Sequence, residues 1–497
     1  MHSLLSIRDL SKKDIETLIL EAEEIKKEIS TEKGREALRN QYKNHLFANL
    51  IFEDSTRTRT SFNRAARTLG MDVETIAGAG GTSVKKGEPV THTARMFQGY
   101  GCEAAAMRHK LIGAPRLVSE KLNIPVTNAG DGYGEHPTQA LLDAFTIKER
   151  FGSIDGLKIA MVGDGKYGRT MHSLTQLAEH YNVEIMFVSP EQFAMPQWRI
   201  NDFEQATGKK ATITSNIMDA IKVADVLNMT RFQRERFTND EEGKREFFEM
   251  CAQYSINAEM LKEARRELAV FHPLPIDKSI MEIAYNVENT SHAYYFEQAE
   301  NGVPMRVAII QRMLGKGFEG REKSPYKHSG LWDPINLSEK KGPKEQDTWI
   351  LENGTLIDHI EHGKGLEVLR VLGLDKWEET KLTPGLNINS VKYGKKDIIV
   401  IQDVELNDYQ LNKLGLVSST ATIAIIENKK VIKKGKVHLP YKLTGEIECQ
   451  EPDCISNKIH LENVQSTFYV ENREPLEVRC NYCATPIVGR ENIKLLQ

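Results

Sequence analysis

Apolar positions recur along this chain in two alternating periods. Ile15, Leu18, Ile19, Ala22, Ile25 and Ile29 fall three and four residues apart, which predicts an amphipathic helix. Ser11, with Asp14 three residues on, supplies its start, because the acid sits over the exposed N–H groups. The run from Leu46 to Phe52 predicts a buried strand, and Phe62, Ala65, Ala66 and Leu69 return to helical spacing, with Gly70 as the stop. Further apolar runs end in Met107, Val162, Val188, Met229 and Phe271, and helical stretches are predicted at Ala140–Arg150 and Thr170–His180. Short apolar strands alternating with helices predict parallel α/β sheets. From Thr348 the pattern changes to alternating strands, Asp397–Ile401 and Thr422–Ile426 among them, with a helix ending near Gly415–Val417. The stretch before it, 320–347, loses periodicity, gains Lys, Ser, Pro and Gly, and reads as a linker.

A chain of 497 residues is too long for one core and predicts two to four domains. With 40% hydrophobic and 27% charged residues and a formal charge of −4, it is an ordinary globular chain with no general push toward nucleic acid or an anionic membrane. No run reaches the length of a membrane span, and the first residues carry no apolar leader, so a cytoplasmic location is expected.

The densest chemistry is Ser55-Thr56-Arg57-Thr58-Arg59, three hydroxyls and two guanidiniums between a strand and a helix start. Free N–H groups and the positive end of a helix dipole meet there, so the pattern points to a phosphate or carboxylate site. Gly78 to Glu88 is a glycine loop around Lys85 and Lys86, suited to closing over a ligand. Arg108, Arg169 and Arg231 follow strand ends and are expected to converge in a cationic crevice for anionic ligands. His136 and Gln139 open a helix together, whereas His92, His109 and His172 are read as structural. Gly163-x-Gly165-x-x-Gly168 follows a strand, but the next strand ends in Ser189-Pro190 where a dinucleotide fingerprint requires an acid; it is read as a tight turn, with an NAD-dependent oxidoreductase as the alternative. Of six cysteines, Cys449, Cys454, Cys480 and Cys483 form two close pairs that suit tetrahedral Zn. Residues 441–497 carry six Lys/Arg against nine Asp/Glu, which disfavours a nucleic-acid finger and favours a structural metal.

Taken together, Ser55-Thr56-Arg57-Thr58-Arg59, Ser83-Val84-Lys85-Lys86-Gly87-Glu88, Met107-Arg108-His109, His136-Pro137-Thr138-Gln139, Lys166-Tyr167-Gly168-Arg169-Thr170, Thr230-Arg231-Phe232-Gln233 and His272-Pro273-Leu274-Pro275 resemble, in order, the catalytic chains of the aspartate carbamoyltransferase family. The part from about Trp349, with Gly354 to Ile360 and the four cysteines, resembles the regulatory chain, so a natural fusion is implied. The implied fold is α/β: two parallel-sheet α/β domains of carbamoyltransferase type, followed by an α+β regulatory domain and a small β-rich zinc domain. The implied division is 1–142 with 293–319 for carbamoyl phosphate, 143–292 for aspartate, the linker 320–347, a nucleotide-binding-like domain 348–440 and a zinc domain 441–497.

The resemblance implies transfer of a carbamoyl group from carbamoyl phosphate to L-aspartate in pyrimidine synthesis, with no catalytic metal or organic cofactor. By position, Ser55, Thr56, Arg57 and Thr58 would hold phosphate. Thr58, Arg108 and His136 would polarise the carbonyl, and Gln139 with the Pro273 and Leu274 carbonyls would orient the NH2. Arg169, Arg231 and Gln233 would bind aspartate, while Ser83 and Lys86 would enter a neighbouring subunit's site, implying catalytic trimers, two of them bridged by regulatory domains. Asp358, His359, Lys396 and Lys434 match nucleotide-effector positions, and Val400 replaces a lysine there. Ornithine carbamoyltransferase is the nearest competitor, but Pro273, Lys86 and Arg231 favour aspartate. The loop before Lys86 is one residue shorter than the family's, leaving Thr82 or Ser83 as its hydroxyl, and Ile276 stands where the family has Arg.

Overall fold

A computed structural model describes residues 2–78, 83–233, 241–326, 332–334, 351–374 and 380–496. The chain forms two compact units, Met1–Arg321 with His460–Glu462, and Glu322–Ile459 with Asn463–Gln497.

The first unit holds two parallel sheets. Strands β1 (Leu46–Ile51), β2 (Asp72–Ala77), β3 (Cys102–His109) and β4 (Val126–Asp131) lie in the order β2-β1-β3-β4. Strands β5 (Lys158–Val162), β6 (Glu184–Val188), β7 (Thr212–Thr214), β8 (Val226–Met229) and β9 (Ala269–Phe271) lie in the order β7-β6-β5-β8-β9. Register decides what leaves each sheet together. Ile51 pairs with Arg108, so the turn after β1 and the end of β3 emerge side by side. Val162 pairs with Met229 and Asn228 with Phe271, so the Gly163 turn, Thr230–Gln233 and His272–Pro275 emerge at one end of the second sheet.

Helices cover these sheets for local reasons. Lys12–Ser30 starts with the expected capping box, Ser11 and Asp14 each bonding the other's backbone N–H, and buries Ile15, Leu18, Ile19, Ala22 and Ile25. The helix Thr56–Thr68 buries Phe62, Ala65 and Ala66 and stops as the chain turns through Gly70 at φ +84°. Burial of Phe62 is worth about 2 kcal/mol at the usual value for a side chain of this size. Pro137–Phe151 begins three residues earlier than periodicity suggests, because Pro137 fits the first helical turn, where no N–H bond is lost. Gly302–Leu314 packs on Lys12–Ser30, Thr56–Thr68 and Pro137–Phe151, bringing the end of the unit back onto its beginning.

In the second unit an antiparallel sheet runs β10-β15-β14-β11-β13-β12, from strands β10 (Trp332–Pro334), β11 (Gly354–Glu361), β12 (Leu382–Ser390), β13 (Gly394–Gln402), β14 (Thr422–Glu427) and β15 (Lys430–Val437). Its core takes Ile357, Ile360, Ile399, Ile401 and Ile423 with Leu411, Leu414 and Val417 of the helix Asp408–Val417. A second antiparallel sheet, β16 (Lys442–Thr444), β17 (Thr467–Arg473), β18 (Leu476–Cys480) and β19 (Pro486–Val488), carries the cysteine cluster. The linker expectation needs correction at β10, which pairs with Val437 to Gly435 of β15. An edge strand of three residues binds through its backbone and needs no apolar alternation, so periodicity does not reveal it. No described helix is long and apolar enough to cross a membrane.

Candidate active site

The ends of both parallel sheets open into a cavity of about 1150 Å³. Ser55, Thr56, Arg57, Thr58, Arg108, His136, Gln139, Arg169, Arg231, Gln233, Pro273 and Leu274 all line it. Lys86 does not: it is exposed and ends a short 3-10 turn, Ser83–Lys86, where an irregular loop was expected. Thr82 lies outside the described residues.

At the phosphate-type turn Ser55 caps the helix Thr56–Thr68, its Oγ accepting the Thr58 N–H at 3.3 Å, so the helix N-terminus points into the cavity beside Arg57. Asn49 on β1 pins the helix by donating from Nδ2 to the Arg59 carbonyl at 2.9 Å and to Asn63 Oδ1 at 2.7 Å. Burial pulls the Arg57 guanidinium down from its ordinary value. It does the same for Arg108, with Arg169 adding to it, to about 9, which leaves Arg108 charged at neutral pH.

The crevice is less cationic than strand ends alone suggest, because Glu53 enters it. Its Oε2 accepts from Arg169 Nη1 at 2.8 Å and lies 3.2 Å from Arg108 Nε. Burial acts to raise the Glu53 carboxyl, but the two guanidiniums outweigh it and hold it below the usual range. Arg169 also donates to the Gly132 carbonyl at 2.7 Å, and passes so close to Gly130 that a Cβ there would meet the guanidinium at 3.2 Å. His136 is buried and driven well below its ordinary pKa by burial and by Arg169, Arg108 and Arg306, so it is neutral. Its backbone N–H donates to Ser173 Oγ at 2.9 Å. His109 and His172 are buried against backbone partners and outside the cavity lining, whereas His92 is exposed.

The glycine turn after β5 serves packing. A Cβ on Gly163, at φ +118°, would lie 2.5 Å from the Thr230 carbonyl, and one on Gly168 would lie 2.1 Å from that of Asp164. Asp164, fully buried, accepts the N–H groups of Tyr167 at 2.8 Å and Gln233 at 3.3 Å and so ties two strand ends together. Residues missed from the sequence, Glu53, Gln298 and Arg306, also line the cavity. Glu53 adjoins the phosphate-type turn, a proximity that signals it; nothing local marks the other two.

In the second unit the four cysteine Sγ atoms lie within 4.8 Å of one another, with Cys449 to Cys483 at 3.5 Å and Cys454 to Cys480 at 3.8 Å. Four sulfurs around Zn at the usual bond length stand about 3.8 Å apart, so the cluster fits a structural zinc. On β11 and β13, Lys396 Nζ donates to Asp358 Oδ1 at 2.6 Å and His359 Nδ1 is 3.1 Å from Oδ2, and burial of Asp358 is outweighed by these two partners, which hold its carboxyl well below the usual range. Lys434 stands on β15 opposite Ala424, which pairs in turn with Leu356, the partner of Val400.

Two parallel sheets whose ends share one arginine-lined cavity, followed by an antiparallel sheet and a four-cysteine cluster, define a transferase body carrying a metal-binding appendage. Residues 2–149 match the family model described as aspartate/ornithine carbamoyltransferase, carbamoyl-P binding domain, and 155–313 the Asp/Orn binding domain. Residues 349–438 and 441–493 match the allosteric and metal binding domains of the aspartate carbamoyltransferase regulatory chain. The aspartate carbamoyltransferase catalytic subunit of Thermococcus kodakarensis is 43% identical over 63% of this chain and 97% of its own length. The catalytic subunit of M. jannaschii aspartate transcarbamoylase superposes with a TM-score of 0.58 at 36% identity, covering 64% of this chain and 99% of that one. The Trypanosoma cruzi enzyme in complex with N-(phosphonacetyl)-L-aspartic acid gives 0.57 at 33% identity, covering 62% and 94%. The chain belongs to the aspartate carbamoyltransferase family, with catalytic and regulatory parts in one polypeptide.

Proposed function

We propose that the first unit transfers the carbamoyl group of carbamoyl phosphate to the α-amine of L-aspartate, giving N-carbamoyl-L-aspartate and phosphate. The observation that carries this reading is the shared cavity, lined together by a phosphate-type helix start, a neutral imidazole, an amide and the guanidiniums of Arg169 and Arg231. Ser55, Thr56, Arg57 and Thr58 hold the phosphate, and Arg169, Arg231 and Gln233 hold the aspartate carboxylates. As the amine attacks the carbonyl carbon, negative charge grows on the carbonyl oxygen, where Thr58, Arg108 and neutral His136 donate hydrogen bonds. Gln139 with the Pro273 and Leu274 carbonyls orients the NH2. The C–O bond to phosphate then breaks, and the departing phosphate takes the amine proton.

Ser83 and Lys86 complete a neighbouring subunit's site in a catalytic trimer, which the exposure of Lys86 outside the cavity of its own chain supports. Residues 1–142 with 293–319 form the carbamoyl-phosphate domain and 143–292 the aspartate domain. Asp358, His359, Lys396 and Lys434 form a nucleotide site whose response is weakened, since Val400 places an apolar side chain in the row that holds Lys434. A triphosphate response as large as that of enzymes with separate chains refutes this. The protein works in the cytoplasm.

The decisive assay measures product from carbamoyl phosphate with L-aspartate and with L-ornithine, in the parent and in Arg57→Ala. Carbamoyl aspartate from the parent, strongly reduced in the variant, is the expected result. Citrulline instead overturns the assignment of Arg231 and Lys86, and no product with either amine overturns the reading as a whole.

A further inference from the structure

Asp143 lies one helical turn beyond Gln139 and is 1% exposed. Its Oδ1 accepts from Gln139 Nε2 at 2.9 Å and from Gln298 Nε2 at 2.6 Å. Gln298, fully buried, accepts the His272 N–H with its own carbonyl oxygen at 2.8 Å. One carboxylate oxygen therefore joins the helix that carries Gln139 to the turn that carries Pro273 and Leu274.

The chemistry of the amides gives this arrangement a direction. A carboxylate oxygen that accepts hydrogen bonds requires the NH2 end of each glutamine. Gln139 then has its carbonyl oxygen left for the cavity it lines, and an oxygen there accepts from an N–H but repels another acceptor. Gln298 is held from both ends, nitrogen on Asp143 and oxygen on the backbone N–H, so it has no second orientation that satisfies both. The other oxygen of Asp143, Oδ2, is buried and makes no hydrogen bond among the described residues, so it is the oxygen open to a proton while Oδ1 stays an acceptor.

We propose that Asp143 is a positioning residue that makes the site select an amine-bearing acyl group, by fixing Gln139 with its oxygen toward the ligand and tying it through Gln298 to the His272–Leu274 turn. This rests on the reading of Gln139 as the residue that faces the carbamoyl NH2. A methyl group in place of NH2 has the same size and no proton to donate, so the selectivity is electrostatic rather than steric.

The test uses the full chain and two stable probes that differ only there, phosphonoacetamide and its methyl ketone counterpart, acetonylphosphonate, titrated by calorimetry. The parent is expected to prefer the amide. In Asp143→Asn the new side chain can donate as well as accept, Gln139 can turn its NH2 to the ligand, and the preference is expected to fall about tenfold while the methyl ketone binds almost as before. An unchanged preference in a folded Asp143→Asn overturns the proposal. If that variant does not unfold cooperatively on heating, Gln298→Leu decides in its place: a reduced preference supports the tie, and the parent's preference overturns it. Gln139→Ala runs in parallel. If it keeps the parent's preference, the underlying reading of Gln139 fails, an outcome distinct from failure at Asp143 alone.

Discussion

Arg169 donates from Nη1 to Oε2 of Glu53 at 2.8 Å, the same oxygen that lies 3.2 Å from Arg108. Two guanidiniums assigned to different substrates thus share one counter-charge. Glu53→Gln removes that charge and leaves the two cations facing each other. Inorganic phosphate is expected to inhibit the variant at lower concentration, while kcat falls about tenfold and KM for aspartate rises, in line with the loss of a charge-assisted hydrogen bond. Steady-state kinetics with phosphate as inhibitor checks this; weaker phosphate inhibition contradicts it.

Ser55 and Ser11 cap two helices in the same way, one at the cavity and one remote from it. Each change to Ala is expected to cost about 1 kcal/mol of stability. Only Ser55→Ala is expected to raise KM for carbamoyl phosphate, because only that cap faces the cavity. Urea unfolding and initial rates on both variants separate the two effects.

His272 gives the acid side of the stability profile a named source. Its Nδ1 accepts the Leu274 N–H at 2.8 Å, and burial, then Arg57 and Arg231, push the ring down to about 3. The unfolded chain takes up this proton near the ordinary histidine value and the folded chain only near 3, so its contribution is complete above that ordinary value. The contribution is lost as pH falls toward 3, at about 1.4 kcal/mol per pH unit. In His272→Asn, whose amide oxygen can still accept the Leu274 N–H, the slope of unfolding free energy between about pH 6 and 4 is expected to be shallower by nearly that amount. Equal slopes in parent and variant contradict the assignment.

The cysteine cluster makes a compositional prediction. The purified chain is expected to carry one zinc, and Cys449→Ser to carry much less, with residues 441–496 becoming sensitive to protease because metal binding and folding are coupled in such sites. Atomic emission and timed proteolysis measure both; full zinc content in the variant contradicts the four-thiolate site.

What was legible in the sequence is local. The strand into Ser55-Thr56-Arg57-Thr58-Arg59, the capping box at Ser11, the helix stop at Gly70 and the paired cysteines each depend on residues a few positions apart, and such signals act before any distant part of the chain is in place. The reading of the Gly163 motif as a turn also came from local grounds, the missing acid after the next strand, while its cause, the Thr230 backbone closing on Gly163, is a tertiary contact.

The sequence by itself determined the two parallel α/β sheets, the cationic chemistry of the first unit and the thiolate cluster of the second, since periodicity and short-range spacing encode them. Only the tertiary structure decided that Glu53 neutralises part of the crevice, that Trp332–Pro334 becomes an edge strand, and that Asp143 meets Gln298, 155 residues away. Those contacts join residues whose neighbours in sequence carry no mark of the pairing. They come from strand register and helix packing, which bring distant groups within hydrogen-bond distance only once the core has formed.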